Sequence, residues 1–311
     1  MTASHELPGA PAPARLAIGV ISAGRVGTAM GQAWERAGHV VVAACAVSSA
    51  SRRRAATRLP EAQVLPPDEV AARAELLLLA VPDDVLAGLV TGLVSTGAVR
   101  AGQIVAHTAG ALGVGVLTPL AAVGALPLAL HPAMTFTGHP EDTERLASAC
   151  VAVTAGDEAG WAVGEALAVE LGAEPVRVAE VDRARYHAAL VHGANHLVTL
   201  VRDAVEVLAS VSTGDVPGER VLAPLLSAAL DNALRRGDRA ITGPVARGDA
   251  AAVLVHLREL ARTEDVVPLP GAQGYRLVDG YRALARRTVA RCARAGLLDD
   301  AQVQALAEVL Q

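Results

Sequence analysis

IGVISAGRVGTAM, residues Ile18–Met30, decides how the rest of the chain is read. A short β-rich run (Arg15–Ile21) ends in a turn of small residues. A helical pattern (Val26–Ala37) then runs until Gly38 stops it. Strand, glycine turn and helix together open a dinucleotide-binding fold, whose turn normally reads G-x-G-x-x-G. Here it reads S-A-G-R-V-G. Gly24 keeps the middle slot, where backbone approaches a pyrophosphate. Gly27 keeps the last, where the helix packs on the strand. Ser22 fills the first, which serves the tight turn. The expectation is a working variant loop, with Ser22, Gly24, Arg25, Val26 and Gly27 around the phosphates at the positive end of the helix.

The second strand (His39–Val47) tests that reading. NAD-binding folds usually end it with a carboxylate for the ribose 2′-hydroxyl. This one ends AVSSASRRR, with no carboxylate. Ser48, Ser49, Arg52 and Arg53 suit a 2′-phosphate instead, because arginine makes charge-assisted bonds to phosphate. The expected cofactor is therefore NADP.

Further strands read at Glu75–Val81, Gly102–Thr108, Ala125–Pro132, Cys150–Ala155 and Glu174–Val178, mostly separated by helical segments. That alternation predicts a mostly parallel sheet with helices on both faces, a Rossmann-like α/β domain over residues 15–179. After Val178 the strand signal stops. One long helix is expected over Asp182–Ala209. Others follow near Val221–Arg236, Ala250–Arg262, Tyr275–Ala295 and Asp299–Leu310, giving an all-helical domain over residues 180–311. Residues 1–14, rich in Pro and Ala, read as a disordered tail.

Composition narrows the chemistry. The chain has 311 residues, is 52% hydrophobic and only 2% aromatic, so its core is built from Ala, Leu and Val. A net charge of −5 and the lack of a long basic block argue against nucleic-acid and membrane-surface partners. Three scattered cysteines suit a reducing compartment, and a cytoplasmic protein is expected. All 27 basic residues are arginine, which excludes Schiff-base catalysis, a P-loop lysine and a lysine general acid.

Candidate polar residues sit where ligands bind, at the carboxyl ends of strands. Val81 and Pro82 follow one strand and could touch cofactor, although Pro and Asp83 there also read as a plain helix start. His107 and Thr108 end the next strand, with His107 toward cofactor and Thr108 toward substrate. His131 ends another in LHPAMTFTG, close to Thr135. It is the leading candidate to protonate or polarise a carbonyl oxygen. In the long helix, His192, Asn195, His196, Thr199 and Asp203 fall near one face. His192 and Asn195 are candidate catalytic, substrate-orienting residues, and His196 is a candidate substrate contact. No carboxylate completes a metal motif, so no metal is expected. Arg247 is a candidate partner for a substrate carboxylate.

These motifs add up to a resemblance. GVISAGRVG, AVPDDVLAGL, HTAGALGVGVL, LHPAMTFTG, YHAALVHGANHLVTL, TGPVARGD and YRALARRT follow in order over nearly the whole chain. They resemble a bacterial family of Rossmann-like proteins with a helical C-terminal domain of formerly unknown function. It is related to pyrroline-5-carboxylate reductase and to proteins like 6-phosphogluconate dehydrogenase. Some members resemble alternative ketopantoate reductases. The resemblance implies an NADP-dependent oxidoreductase of a small 2-oxo acid, first of all 2-dehydropantoate on the way to pantothenate, and a homodimer formed through the helical domain. Its alternatives are reduction of a cyclic imine such as pyrroline-5-carboxylate, or a non-catalytic NADP-binding sensor. The lysine that established ketopantoate reductases place beside an asparagine is missing here. Prephenate dehydrogenases, in the same wider group, carry a catalytic histidine in an HP strand end, and His131-Pro132 looks like that position.

Overall fold

The structure is a computed structural model, which describes residues 15–211, 216–266 and 276–311. The expected tail at 1–14 lies outside the described residues. Eight strands form one sheet: β1 (Ala17–Ile21), β2 (Val40–Cys45), β3 (Gln63–Val64), β4 (Leu76–Leu79), β5 (Ile104–His107), β6 (Leu126–Pro132), β7 (Cys150–Ala155) and β8 (Glu174–Arg177). Their order is β3-β2-β1-β4-β5-β6-β7-β8. Helices α1 (Arg25–Arg36), α2 (Ser49–Arg58), α3 (Pro67–Arg73), α4 (Asp83–Ser95), α5 (Thr118–Ala121), α6 (Glu141–Leu146) and α7 (Glu158–Glu170) lie between them.

The sheet faces follow from alternation. Ile18, Val20, Leu76, Leu78, Leu128 and Leu130 belong to one buried cluster with Met30 and Trp34 of α1 and Leu167 of α7. Ile21, Leu77, Leu79 and Val105 belong to another with Val70 of α3 and Leu86 and Val90 of α4. Successive side chains in a strand point to opposite faces. A strand covered on both faces is therefore apolar throughout, as in the four leucines of β4, all fully buried. Trp34 fills the space between α1 and α7 and donates its indole N–H to the Leu167 carbonyl at 3.0 Å. β3 escaped the sequence reading because it is only two residues long and exposed, with no apolar run to mark it.

The strands from β3 to β6 run parallel, but β7 runs antiparallel to β6, with β8 parallel to β7. β7 thus starts at the edge where β6 ends, since Pro132 pairs with Val151. The segment between them, including α6, stays at the carboxyl edge instead of crossing the sheet. The chain also reverses its winding between β1 and β4, and such switch points are where open α/β sheets bind ligands.

The single helix expected over Asp182–Ala209 is interrupted. α8 (Arg183–Leu190) passes through a π-helical turn, Val191–Asn195, into α9 (His196–Val211). His192 and Asn195 lie in this wider turn and leave ideal α-helical spacing, whereas His196, Thr199 and Asp203 keep it within α9. The chain divides into two compact units at His192/Gly193, later than the 179/180 boundary read from sequence. In the second unit α10 (Gly218–Arg236), α11 (Gly243–Ala246), α12 (Ala250–Val266), α13 (Leu277–Arg294) and α14 (Asp300–Val309) follow α9. Val253, Leu257, Val278, Val289, Cys292 and Leu306 are central to its core. No helix among the described residues is long and apolar enough to cross a membrane.

Two glycine substitutions should move stability in opposite directions. A Cβ at Gly27 would lie 2.3 Å from the Ser22 carbonyl oxygen and 2.9 Å from Val20 Cγ1. Gly27→Ala should cost roughly 2–3 kcal/mol through this clash. A Cβ at Gly88, exposed on α4, meets nothing within 4 Å. Gly88→Ala should stabilise by about 0.5–1 kcal/mol through helix propensity. Urea unfolding of the two variants checks both signs.

Candidate active site

The turn after β1 is built tightly. Ser22 has φ of 77°, the one non-glycine in the left-handed region among the described residues. That conformation costs an L-residue about 1–2 kcal/mol, and glycine in the first slot avoids it. The turn is held by the Ala23 N–H, which donates to the Cys45 carbonyl at the end of β2 at 2.8 Å. Gly24 then starts α1 with no side-chain cap and no acidic residue in the first turn. The positive end of α1 is thus left for an anion. A Cβ at Gly24 would meet only Ser22 Oγ, at 3.3 Å. The space above the loop is open, so backbone approach is possible there. Arg25 is exposed and Val26 half-buried.

At the end of β2 the residues divide their tasks. Ser48 caps α2: its hydroxyl accepts from the Ser51 N–H at 3.0 Å and donates to Ser51 Oγ at 3.0 Å. Ser49, Arg52 and Arg53 are exposed, and Arg52 Nε reaches the Ala46 carbonyl at 3.4 Å. Arg54, missed in the sequence, comes close to Arg25. A Cβ at Gly138 would lie 3.3 Å from Arg25 Cγ and 3.5 Å from Arg54 Nε. Two guanidinium-bearing side chains from α1 and α2 therefore flank the β6–α6 segment. Arg58, by contrast, is buried and structural. It donates to Gln32 Oε1, the His139 carbonyl and Thr143 Oγ1.

After β4, Val81 is half-buried and Pro82 exposed. Pro82 precedes α4, whose first turn carries Asp83 and Asp84. Those carboxylates complement the helix dipole. Thr108 is partly exposed, and its N–H donates to the Leu79 carbonyl at 3.3 Å.

His107, expected to touch cofactor, turns its ring to the backbone. Its ring is fully buried. Nδ1 accepts from the Ala109 N–H at 3.2 Å, which leaves Nε2–H to donate to the Gly113 carbonyl at 2.9 Å. With both nitrogens committed to backbone, the ring shapes the loop after β5. Burial drives its pKa down to about 4. Glu180 grips the same loop, accepting from the Val114 N–H at 2.7 Å and the Gly115 N–H at 3.1 Å. A Cβ at Gly113 would lie 1.9 Å from Glu180 Oε2 and would push the carboxylate off the loop.

The clamped loop brings Gly110 against His131. A Cβ there would meet His187 Cδ2 at 2.4 Å and His131 Nε2 at 3.0 Å. His131 Nδ1 is hydrogen-bonded to the Tyr186 hydroxyl at 3.0 Å. The His131 ring meets Tyr186 and His187 edge-on, at centroid distances of 5.6 and 5.9 Å. Below them lies Arg183, 1% exposed. Its Nε donates to Thr154 Oγ1 at 2.7 Å, and one terminal nitrogen donates to the carbonyls of Ala129 at 2.8 Å and Ala152 at 3.1 Å. Its other terminal nitrogen has no partner. Burial, then the positive charge of Arg183, pull the His131 pKa down to about 4.

Tyr186, His187, Arg183 and Glu180 are the residues sequence reading missed. Their only signal is the i, i+3, i+4 spacing of Arg183, Tyr186 and His187 on one helix face, which any solvated helix also shows. Thr135 lies exposed in the segment after β6, and His192 is exposed in the π-helical turn. Asn195, His196 and Arg247, all exposed, belong to the second unit.

Residues 2–132 match the model of the Rossmann-like domain, and residues 149–288 match that of a domain of unknown function, DUF2520. The chain is a Rossmann-like domain followed by a DUF2520 domain. No curated protein matches it by sequence. Among solved structures it is similar to a Bacteroides fragilis protein provisionally described as an NADP oxidoreductase. That match has a TM-score of 0.71 and 22% identity, covering 89% of this chain and 98% of the other. It is similar to a Thermotoga maritima protein with a TM-score of 0.64 and 16% identity, covering 90% and 99%. A Plasmodium falciparum pyrroline carboxylate reductase, solved with NADP bound, gives a TM-score of 0.55 and 11% identity, covering 90% and 97%. At these identities the likeness establishes the fold.

The two low-pKa histidines make stability depend on pH. Each titrates near 4 when folded, against 6.5 when exposed. Between those values the unfolded chain binds more protons. Stability is therefore complete above about pH 6.5 and falls as the pH drops toward 4, by on the order of 3 kcal/mol for each histidine. Urea unfolding across this range should show the decline, with a shallower slope in His131→Asn.

Proposed function

We propose that this chain is an NADP-dependent oxidoreductase that reduces a small 2-oxo acid, with 2-dehydropantoate the first substrate to test. One observation carries the reading. The uncapped turn after β1 and the His131 cluster after β6 stand on the same carboxyl edge of one sheet. The bacterial motifs quoted from the sequence support the substrate class. The Plasmodium reductase, solved with NADP, supports the cofactor.

The residues present fit such a dinucleotide. The first turn of α1, with Gly24 and Gly27, suits the pyrophosphate. Arg25, Arg52 and Arg54 suit a 2′-phosphate, at a strand end with no carboxylate to bind a 2′-hydroxyl. When bound, NADPH supplies a hydride to the substrate carbon. His131 acts as a neutral ring at the reacting oxygen through the Tyr186 hydroxyl it holds, because its low pKa leaves it uncharged at neutral pH. His192, Asn195, His196 and Arg247 are proposed on sequence grounds to orient the substrate and pair its carboxylate. Thr108 and Thr135 join them as proposed substrate contacts.

A second reading is reduction of a cyclic imine. It draws on the fact that His107 and His131 are both held neutral. A protonated imine brings its own charge and asks less of an acid. The proposal also includes a homodimer. Leu197 and Leu200 of α9 and Val221, Leu225, Leu230 and Leu234 of α10 are exposed apolar side chains that a second copy would cover.

Three measurements decide these points. Purified protein should oxidise NADPH with 2-dehydropantoate, and failure with every oxo acid and imine offered would sink the enzymatic reading. Arg25→Ala with Arg54→Ala should weaken NADPH binding about tenfold or more while leaving NADH nearly unchanged, as fluorescence titration would show. Equilibrium sedimentation should give a dimer that Leu225→Asp with Leu234→Asp converts to monomer.

A further inference from the structure

We propose that Tyr186 delivers the proton in this reaction, with His131 holding its hydroxyl and Arg183 stabilising the phenolate left behind. The proposal rests on the reductase reading and names the acid that the reading needs.

The geometry narrows the choice. His131 Nδ1 lies 3.0 Å from the Tyr186 hydroxyl, and a neutral ring that donates from Nδ1 leaves the phenolic hydrogen free to point elsewhere. His131 itself is a poor donor of charge. Burial, Arg183, His187 and His107 all disfavour its protonated form. His107 is spent on backbone. The chain has no lysine. Tyr186 and His131 are both only half-buried, so the pair is not sealed inside the protein.

Arg183 supplies the second, independent observation. Its guanidinium carbon lies 6.0 Å from the centre of the Tyr186 ring. Among the described residues no carboxylate pairs with it, and one terminal nitrogen has no partner. Glu180 acts on it only from beyond ion-pair distance, and a buried cation without a close counter-charge is costly unless a negative charge appears beside it. A phenolate at Tyr186 is such a charge. Burial raises the Tyr186 pKa, and Arg183 pulls it back; Cys150 adds a small push upward.

The step balances. The hydride from the reduced nicotinamide forms the new C–H bond, and the C=O electron pair moves to oxygen. The Tyr186 O–H bond breaks as the product O–H bond forms. Water then returns a proton to the phenolate.

Tyr186→Phe in the full-length protein keeps the ring and removes one oxygen. The chain has three tyrosines, so the ultraviolet phenolate titration of wild type minus that of Tyr186→Phe isolates Tyr186. On an oxo acid that wild type reduces, Tyr186→Phe should lose about 100-fold or more in kcat. Its NADPH Kd should stay within about twofold, since the hydroxyl is assigned to proton delivery and not to cofactor binding. The alkaline limb of the wild-type kcat profile should coincide with the Tyr186 titration. Both should move to higher pH in Arg183→Met, and less in Arg183→Lys. If Arg183→Met fails to fold, the wild-type coincidence still decides. Wild-type kcat in Tyr186→Phe, or an alkaline limb apart from the Tyr186 titration, overturns the proposal while leaving the reductase reading intact. No turnover by wild type on any oxo acid or imine overturns both.

Discussion

The buried guanidinium of Arg183 organises one end of the sheet. It binds the carbonyls of Ala129 in β6 and Ala152 in β7 and the Thr154 hydroxyl, which itself donates to the Val178 carbonyl. These bonds span the antiparallel junction between β6 and β7 and fix the first turn of α8. Taking a charge out of water costs several kcal/mol, which hydrogen bonds to three oxygens only partly offset. The bonds do hold α8 in register. One turn on, Tyr186 and His187 meet His131. Just before α8, Glu180 closes on the loop that carries Gly110 and Gly113.

The other end of the site depends on strain and open donors. Ser22 holds a conformation better suited to glycine, and the first turn of α1 lacks a cap. Departures of this kind concentrate where a ligand supplies what the chain withholds. The segment after β6 lies between the two ends. It leaves His131 and reaches Gly138 beside Arg25 and Arg54. There Asp142 fixes it, accepting from the Thr137 N–H at 3.2 Å, the Thr137 hydroxyl at 2.9 Å and the Gly138 N–H at 2.7 Å. This path exists because β7 starts where β6 ends. A parallel β7 would have sent the segment across the sheet.

Local pattern makes part of this legible in the sequence. β1, its glycine turn and α1 announce themselves through apolar runs and small residues, because the constraints on each slot act over a few neighbours. Gly27 is required by contacts with Ser22 and Val20, both within the same short motif. His131 is a candidate from its place at a strand end. The same logic could not see the backbone partners of His107 at Ala109 and Gly113, which depend on how the loop after it folds back.

The sequence by itself determined the Rossmann-like half, the helical half, the absence of lysine chemistry and the missing carboxylate after β2, all properties of residue type and short-range spacing. Only the tertiary structure decided that β7 turns back, that a π-helical turn interrupts the long helix, and that Arg183, Tyr186 and His131 form one cluster. The physical reason is range. The 3.0 Å bond between His131 and Tyr186 joins residues 55 positions apart, and the Arg183 bond to Ala129 joins residues 54 apart. Periodicity cannot encode such a pairing, which arises when β6, β7 and α8 pack around a buried charge.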